Sequence, residues 1–549
     1  MKIPRKEELI KLQAKYRTDK KIGEALGGVP EYLVAYWRRK KKIGRYSFSK
    51  YSQVEIKDLW ERYGNDQKAG EKLGISRGGF YKWRKKYNLL EKPKVLKFQQ
   101  MEFPLASQPN FNRMSLSNHS KWGDVLIKQK SGNLTIAQKL LAKKAGKAQT
   151  VVGEIVNVEP DLAMSHDNAG LVIKQFKQIG QKNVWNPHKI VIPLDHRAPA
   201  ESEKTATAHK SIREFVREQT IEKFYDIKEG ICHQVMIEKA HILPGELAVG
   251  TDSHTTSYGC LGALSTGIGA TEMAVVWATG EIWLRVPESI KISIQGKMPK
   301  GVYAKDVILY IIGQLSVEGA SYKSVEFYGY TVSKMSISER FVLCNLSMEM
   351  GAKFAVVPFD KITQKYLSAI TSQRYEPIHS DNNAIFEKEY EFDISSLEPQ
   401  VACPHNVDNV KSVSEVKGIK IDQVVLGSCT NGRLDDLEVA AKILQGKKVH
   451  PNLRMLVLPA TRTIYSQAMK KGYLNIFLDA GAVILNPGCG PCLGAHEGIL
   501  AAGEKCLATT NRNFKGRMGS PDSFVYLASP ALAAATAIKG EIADPREFM

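Results

Sequence analysis

The sequence predicts an α/β protein: a body of several α/β domains, preceded by two small all-α units. Three observations carry this reading. From Leu134 onward, short apolar runs alternate with helical patterns, which is the texture of α/β domains. Ahead of that point, a basic helical pattern over residues 7–43 recurs over residues 55–89. The chain has 549 residues, enough for several buried cores, and holds no run of eighteen or more apolar residues, so no membrane span is expected.

The front end, taken first, differs from the rest in charge. Residues 1–100 carry 27 Lys+Arg against 11 Asp+Glu, a net of +16 out of the chain's +20, which leaves +4 for the remainder. The two repeats align, with one glycine skipped, through Leu12/Leu59, Tyr16/Tyr63, Asp19/Asp66, Gly23/Gly70, Leu26/Leu73, Trp37/Trp83 and Arg38/Arg84. Each reads as a helix, a short helix ending in Leu-Gly, and a third helix ending in cations. Two helices joined by a Gly-containing turn, with a basic last helix, resemble the helix-turn-helix of DNA-binding proteins. Units are expected over 1–45 and 46–92. Arg38, Arg39 and Lys40 in the first, with Arg84, Lys85 and Lys86 in the second, are the candidate phosphate contacts to DNA. The alternative is a pair of helical units with solvated basic faces that dock on a protein. A linker rich in Pro, Ser, Asn and Gln follows over 93–133.

The N-terminal MKIPRKEELIKLQ is basic but lacks an apolar h-region, so a cytoplasmic rather than secreted protein is expected. Eight cysteines are too few for a disulfide scaffold. In a reducing compartment a CxxC pair signals metal or redox chemistry first.

In the body, chemically rich residues recur just after short apolar strands. HKIVIPLDHRAPA delivers Asp195 and His196, and ELAVGTDSHTTSYG delivers Asp252, Ser253 and His254. DQVVLGSCTNGR delivers Cys429 and Asn431, AVILNPGCGPCLG delivers Cys489 and Cys492, and CLATTNRNFKGRMG delivers Asn511, Arg512 and Arg517. Ligands of open α/β sheets bind outside the carboxyl ends of strands, so five such loops imply one convergent site. Spacing leaves two answers for the sulfurs: a zinc site completed by Cys403 or His496, or an iron–sulfur cluster held by three cysteines. The Asp-His and Arg loops favour catalysis in either case. The glycine-rich GCLGALSTGIGATEMA lacks the Lys-Ser/Thr of a P-loop and reads as close helix–sheet packing.

Taken in order, GTDSHT, GSCTNGR, PGCGPCLG and NRNFKGRMG resemble the aconitase superfamily, and residues 134–549 resemble its isopropylmalate dehydratase and homoaconitase large subunits. The resemblance implies three aconitase-type domains over 134–287, 288–412 and 413–549, around a [4Fe–4S] cluster on Cys429, Cys489 and Cys492. It implies acid–base roles for Asp195, His196, His233, Asp252, His254 and Glu349. It places Ser253, Asn345, Asn431, Arg512 and Arg517, and more loosely His166, at the substrate. In the family a swivelling fourth domain supplies the catalytic serine base. The chain has no counterpart of it before Met549, so a separate small subunit is the expected partner. The implied reaction is reversible dehydration of a hydroxy di- or tricarboxylate, isopropylmalate before homocitrate. The competing reading is a nucleic-acid-binding regulator with a catalytically idle aconitase-like sensor body.

Overall fold

The computed structural model describes residues 132–549 throughout and, ahead of them, residues 29–41, 76–86 and single positions between Pro4 and Leu89. All but the last two residues of the expected linker lie outside the described residues. The chain divides into two compact units, Met1–Asn118 and His119–Met549.

In the front unit the last helix of each repeat is present, as Glu31–Lys40 and Arg77–Lys86. Val34 and Trp37, three residues apart and so on one helix face, bury with Leu9, Ile22 and Val29. Phe80 buries with Ile56, Trp60 and Ala69. Two of the expected phosphate contacts need correction, because Arg38 and Arg84 are only 4% and 6% exposed. Arg84 forks onto Asp66, with Nε 2.5 Å from Oδ1 and Nη2 2.8 Å from Oδ2. Its guanidinium also lies 3.6 Å above the Trp60 ring. A planar fork matches a carboxylate and an aromatic face together, so the cation serves the fold rather than a ligand. Lys40 and Lys85 are exposed. The side chains of Arg39 and Lys86 lie outside the described residues.

The body is built on three sheets and a small antiparallel ribbon, Ile155–Val158 with Ile282–Arg285. The first sheet is five-stranded and wholly parallel, running from Leu162–Met164 to Leu264–Gly267 in chain order. The second has four parallel strands between Ser289 and Asp393. The third has seven strands, and its antiparallel edge is formed by Gln400–Ala402 and Val410–Ser412. That hairpin places residues 400–412, expected to end the second domain, in the third layer. Among the described residues, no helix is long and apolar enough to cross a membrane.

The strands Ile190–Pro193, Leu247–Gly250 and Gln423–Leu426 are buried along their whole length. Strands of a parallel sheet lie covered on both faces, which is why they read as unbroken apolar runs instead of alternating ones. One continuous core joins Val191 of the first sheet, Ile292 of the second and Val425 of the third. The strand ends that carry the polar loops are therefore fixed relative to one another.

Candidate active site

The functional residues stand where strands end. His166 follows Leu162–Met164, Asp195 and His196 follow Ile190–Pro193, and Asp252, Ser253 and His254 follow Leu247–Gly250. Cys429 follows Gln423–Leu426, Cys489 and Cys492 follow Val483–Ile484, and Arg512 and Arg517 follow Lys505–Ala508. His233 opens the helix Cys232–Glu238. The second layer sends Asn345 from the end of the helix Ile337–Leu346 and Glu349 from the 3-10 turn Ser347–Met350.

Asp252 is the hub of an acid–base network. Its Oδ1 lies 2.8 Å from His233 Nε2 and accepts the His254 backbone N–H at 2.7 Å, and its Oδ2 lies 3.3 Å from His196 Nε2. Burial pushes this carboxyl up, but the imidazole bonds outweigh it and hold the group well below the usual range. His196 meets Asp195 Oδ1 through Nδ1 at 2.7 Å. Burial opposes its charge, yet Asp195, Cys489 and Asp252 raise it well above an ordinary imidazole. The His166 ring stacks on it, centroids 3.8 Å apart. Burial and the His196 charge press His166 down to about 4, so it is neutral. His254 Nε2 lies 2.8 Å from Glu349 Oε1, which also accepts from Arg512 Nε at 2.8 Å. Arg512 Nη2 donates to Ser253 Oγ at 3.0 Å. Nitrogen and oxygen atoms of His166, Asp167, Asp195 and His196 lie within 4.8 Å of one another, close enough for a cation. Their carboxylates are already engaged by N–H donors, so the group is a hydrogen-bonded proton network.

The sulfurs form a second wall that adjoins this network, with Cys489 Sγ 3.8 Å from Asp195 Oδ2. Cys429, Cys489 and Cys492 are buried and unbonded to one another. Asn345 and Asn511 donate Nδ2–H to Cys429 Sγ at 3.4 and 3.2 Å. Arg517 Nη2 stands 3.8 Å from Cys492 Sγ, and its Nε is buried without a partner. Amide and guanidinium donors directed at sulfur stabilise thiolate, the form that ligates metal. The Cys489 backbone N–H donates to Asp195 O at 2.9 Å. A Cβ on Gly488 would lie 2.9 Å from the same oxygen, so the cysteine loop passes that close only with glycine there. Three buried thiols, one met by two amide donors and one by a guanidinium, fit a cluster that leaves one iron open to substrate. Of the two residues that would complete a zinc site, Cys403 Sγ stands 4.0 Å from Val401 O, and His496 Nδ1 stands 3.6 Å from Glu497 Oε2 with its Nε2 buried and without a partner.

Asn431 does not join this group as expected. Its Nδ2 donates to Asp436 Oδ1 at 2.8 Å, and it lines a separate cavity of about 250 Å³ with Tyr303 and Glu339. The sequence reading did not single out Asp167, His209 or Lys305. Asp167 sits beside His166 in AMSHDNAG, but no spacing rule connects it to residues 195–197.

The Aconitase family (aconitate hydratase) pattern matches residues 138–540. A 3-isopropylmalate dehydratase large subunit 1 from Methanopyrus kandleri is 50% identical over 416 residues, covering 76% of this chain and 99% of its own. A probable 3-isopropylmalate dehydratase large subunit from Methanothermobacter thermautotrophicus is 52% identical, covering 75% and 99%. A probable methanogen homoaconitase large subunit from Methanosarcina mazei is 54% identical, covering 71% and 99%. Motifs, strand-end placement and these likenesses converge: the chain belongs to the aconitase family, whose hydro-lyases of this kind carry a [4Fe–4S] cluster.

Proposed function

We propose that the chain is the cluster-bearing large subunit of a hydro-lyase that isomerises a hydroxy di- or tricarboxylic acid, isopropylmalate first and homocitrate second. The observation that carries this is the meeting of the Asp195–His196 pair with the cysteine loop, through Asp195 and Cys489, beside the linked Arg512, Ser253, His254 and Glu349. Cys429, Cys489 and Cys492 would hold the cluster, which supplies a Lewis acid for the substrate's hydroxyl and carboxylate. The chain's own residues do the rest. His196, kept charged between Asp195 and Asp252, offers a proton to the departing hydroxyl. Neutral His166 covers its ring and excludes water. Arg512 and Arg517 supply guanidinium forks for substrate carboxylates, while Asn345 orients the Cys429 side. A separate small subunit closes the site and contributes the base. This rests on the relatives that share three quarters of the chain and are called large subunits.

The test is anaerobic purification with iron and sulfide analysis, then assay with the small subunit on isopropylmalate and on homocitrate. Iron and sulfide in equal amounts with turnover of one acid is the expected result. Stoichiometric zinc without sulfide would overturn the reading.

A second role rests on the front unit: the two helical repeats bind DNA as helix-turn-helix units through exposed cations such as Lys40 and Lys85. The support is the net +16 of residues 1–100 and the exposed Tyr36 and Tyr81 beside those cations. A salt-sensitive gel shift of the full chain tests it. Absence of any shift at low salt would reduce the repeats to protein-docking helices.

A further inference from the structure

Outside the residues already assigned, one carboxylate is more heavily engaged than its position beside the site requires. Asp167 lies between His166 and Asn168, the residue that precedes the helix Ala169–Ile179. Its Oδ2 accepts the backbone N–H of Asp195 at 3.0 Å and of His196 at 2.8 Å. Its Oδ1 accepts the Arg197 N–H at 3.2 Å and meets His209 Nε2 at 2.7 Å. His209 is 2% exposed, on the helix Glu203–Glu218 that follows the Asp195–His196 loop. One side chain thus clasps the segment at both ends, at the strand terminus and at the next helix. Burial pushes the Asp167 carboxyl up, but His209 and His196 more than offset it and hold it far below the usual range.

The grip reaches further through Asp195. The Asp195 Oδ2 accepts the Cys232 N–H at 2.7 Å, and its carbonyl holds the Cys489 N–H at 2.9 Å. A shift of the 195–197 backbone would move the His196 proton and the cysteine loop together. We propose that Asp167, buttressed by His209, is a positioning residue of the dehydration: it fixes the Asp195–His196 turn and, through it, the Cys489 loop. This rests on the hydro-lyase reading of the same site. A carboxylate suits the task because it accepts four N–H donors without donating, whereas an amide would turn two donors toward one of them.

The test compares Asp167→Asn, Asp167→Ala, His209→Gln and His209→Ala in the full chain, anaerobic and with the small subunit. Displacement of an acid by about 1 Å costs roughly 100-fold, so Asp167→Ala is expected to lose about that in kcat with KM within about threefold. Asp167→Asn should lose about tenfold. His209→Gln, which can still donate, should restore most of what His209→Ala loses. The three-iron EPR signal of oxidised Asp167→Ala should also change, because the Cys489 tether moves. Should Asp167→Ala not fold, the His209 pair carries the same comparison. Wild-type kcat and an unchanged signal in Asp167→Asn and His209→Ala, with only the melting temperature lowered, would overturn the proposal. If the unaltered protein turns over neither acid, the substrate reading fails, while the EPR comparison still decides the role of Asp167.

Discussion

The two walls of the site are built on different terms. On the first-sheet wall the carboxylates meet complements: Asp252 engages the imidazoles of His233, His196 and, at 3.4 Å through Nδ1, His254, and Asp195 engages His196 and the Cys232 amide. On the third-sheet wall the thiols have only long contacts, from N–H donors and to the Asp195 and Asn511 side-chain oxygens, and Arg517 Nε is buried without a partner. Beneath that wall the fully buried Lys305 ammonium rests on the carbonyls of Thr509 and Thr510, at 3.1 and 2.5 Å. A wall that satisfies itself holds protons in fixed places. A wall of soft donors and surplus positive charge is suited to an anionic metal centre and an anionic substrate. Catalysis needs both, in register.

Four experiments break or sharpen that contrast. Replacing Cys429, Cys489 or Cys492 with Ser removes a ligand, and activity should fall below detection together with iron content. Asp252→Asn on the other wall removes the charge shared by three imidazoles, and kcat should drop about 100- to 10,000-fold, the range of acid–base catalysis, with iron retained. Arg512→Lys keeps the charge but loses the planar guanidinium that Glu349 and Ser253 hold in place. In the proposed role as a substrate-carboxylate contact, the main effect should be a rise in KM, about tenfold for the loss of roughly 1.4 kcal/mol of binding.

The smallest effect concerns Lys305, whose burial presses its ammonium down to about 7. A lysine with a folded pKa below its unfolded value of about 10.5 costs stability at low pH. That cost disappears as pH rises through the window between the two values. In the iron-stripped chain, the melting temperature of Lys305→Met relative to the parent should therefore be highest near pH 7, with the margin shrinking toward pH 10. A pH-independent margin would show that Lys305 titrates in the folded chain as it does unfolded, and so stays charged across this window.

How much of this could be read from the sequence depends on how local each signal is. The strand-end loops were legible because a buried parallel strand leaves an unbroken apolar run, and the polar residues follow directly after it, as in IVIP before Asp195. The cysteine loop was legible through its spacing. Asn431 was misjudged because sitting in a motif does not determine which way an amide points, and Asp436 captured it. Arg38 and Arg84 looked like phosphate contacts because a basic cluster reads alike whether its members face solvent or are buried, as Arg84 is against Asp66. Asp167 escaped because its partners lie 28 to 42 residues away along the chain. The edge hairpin at 400–412 was assigned to the wrong layer because strand pairing across a domain border leaves no local trace.

The contact between the Asp195 carbonyl and the Cys489 amide has a consequence for how such a protein can diverge. The two loops belong to different layers but share one hydrogen bond, with no room for a side chain at Gly488. Neither loop can be exchanged by itself. A chimaera that took its third layer from one relative and its first from another would need both loops from the same parent, so recombination in this family should be tolerated by layer pairs rather than by single domains.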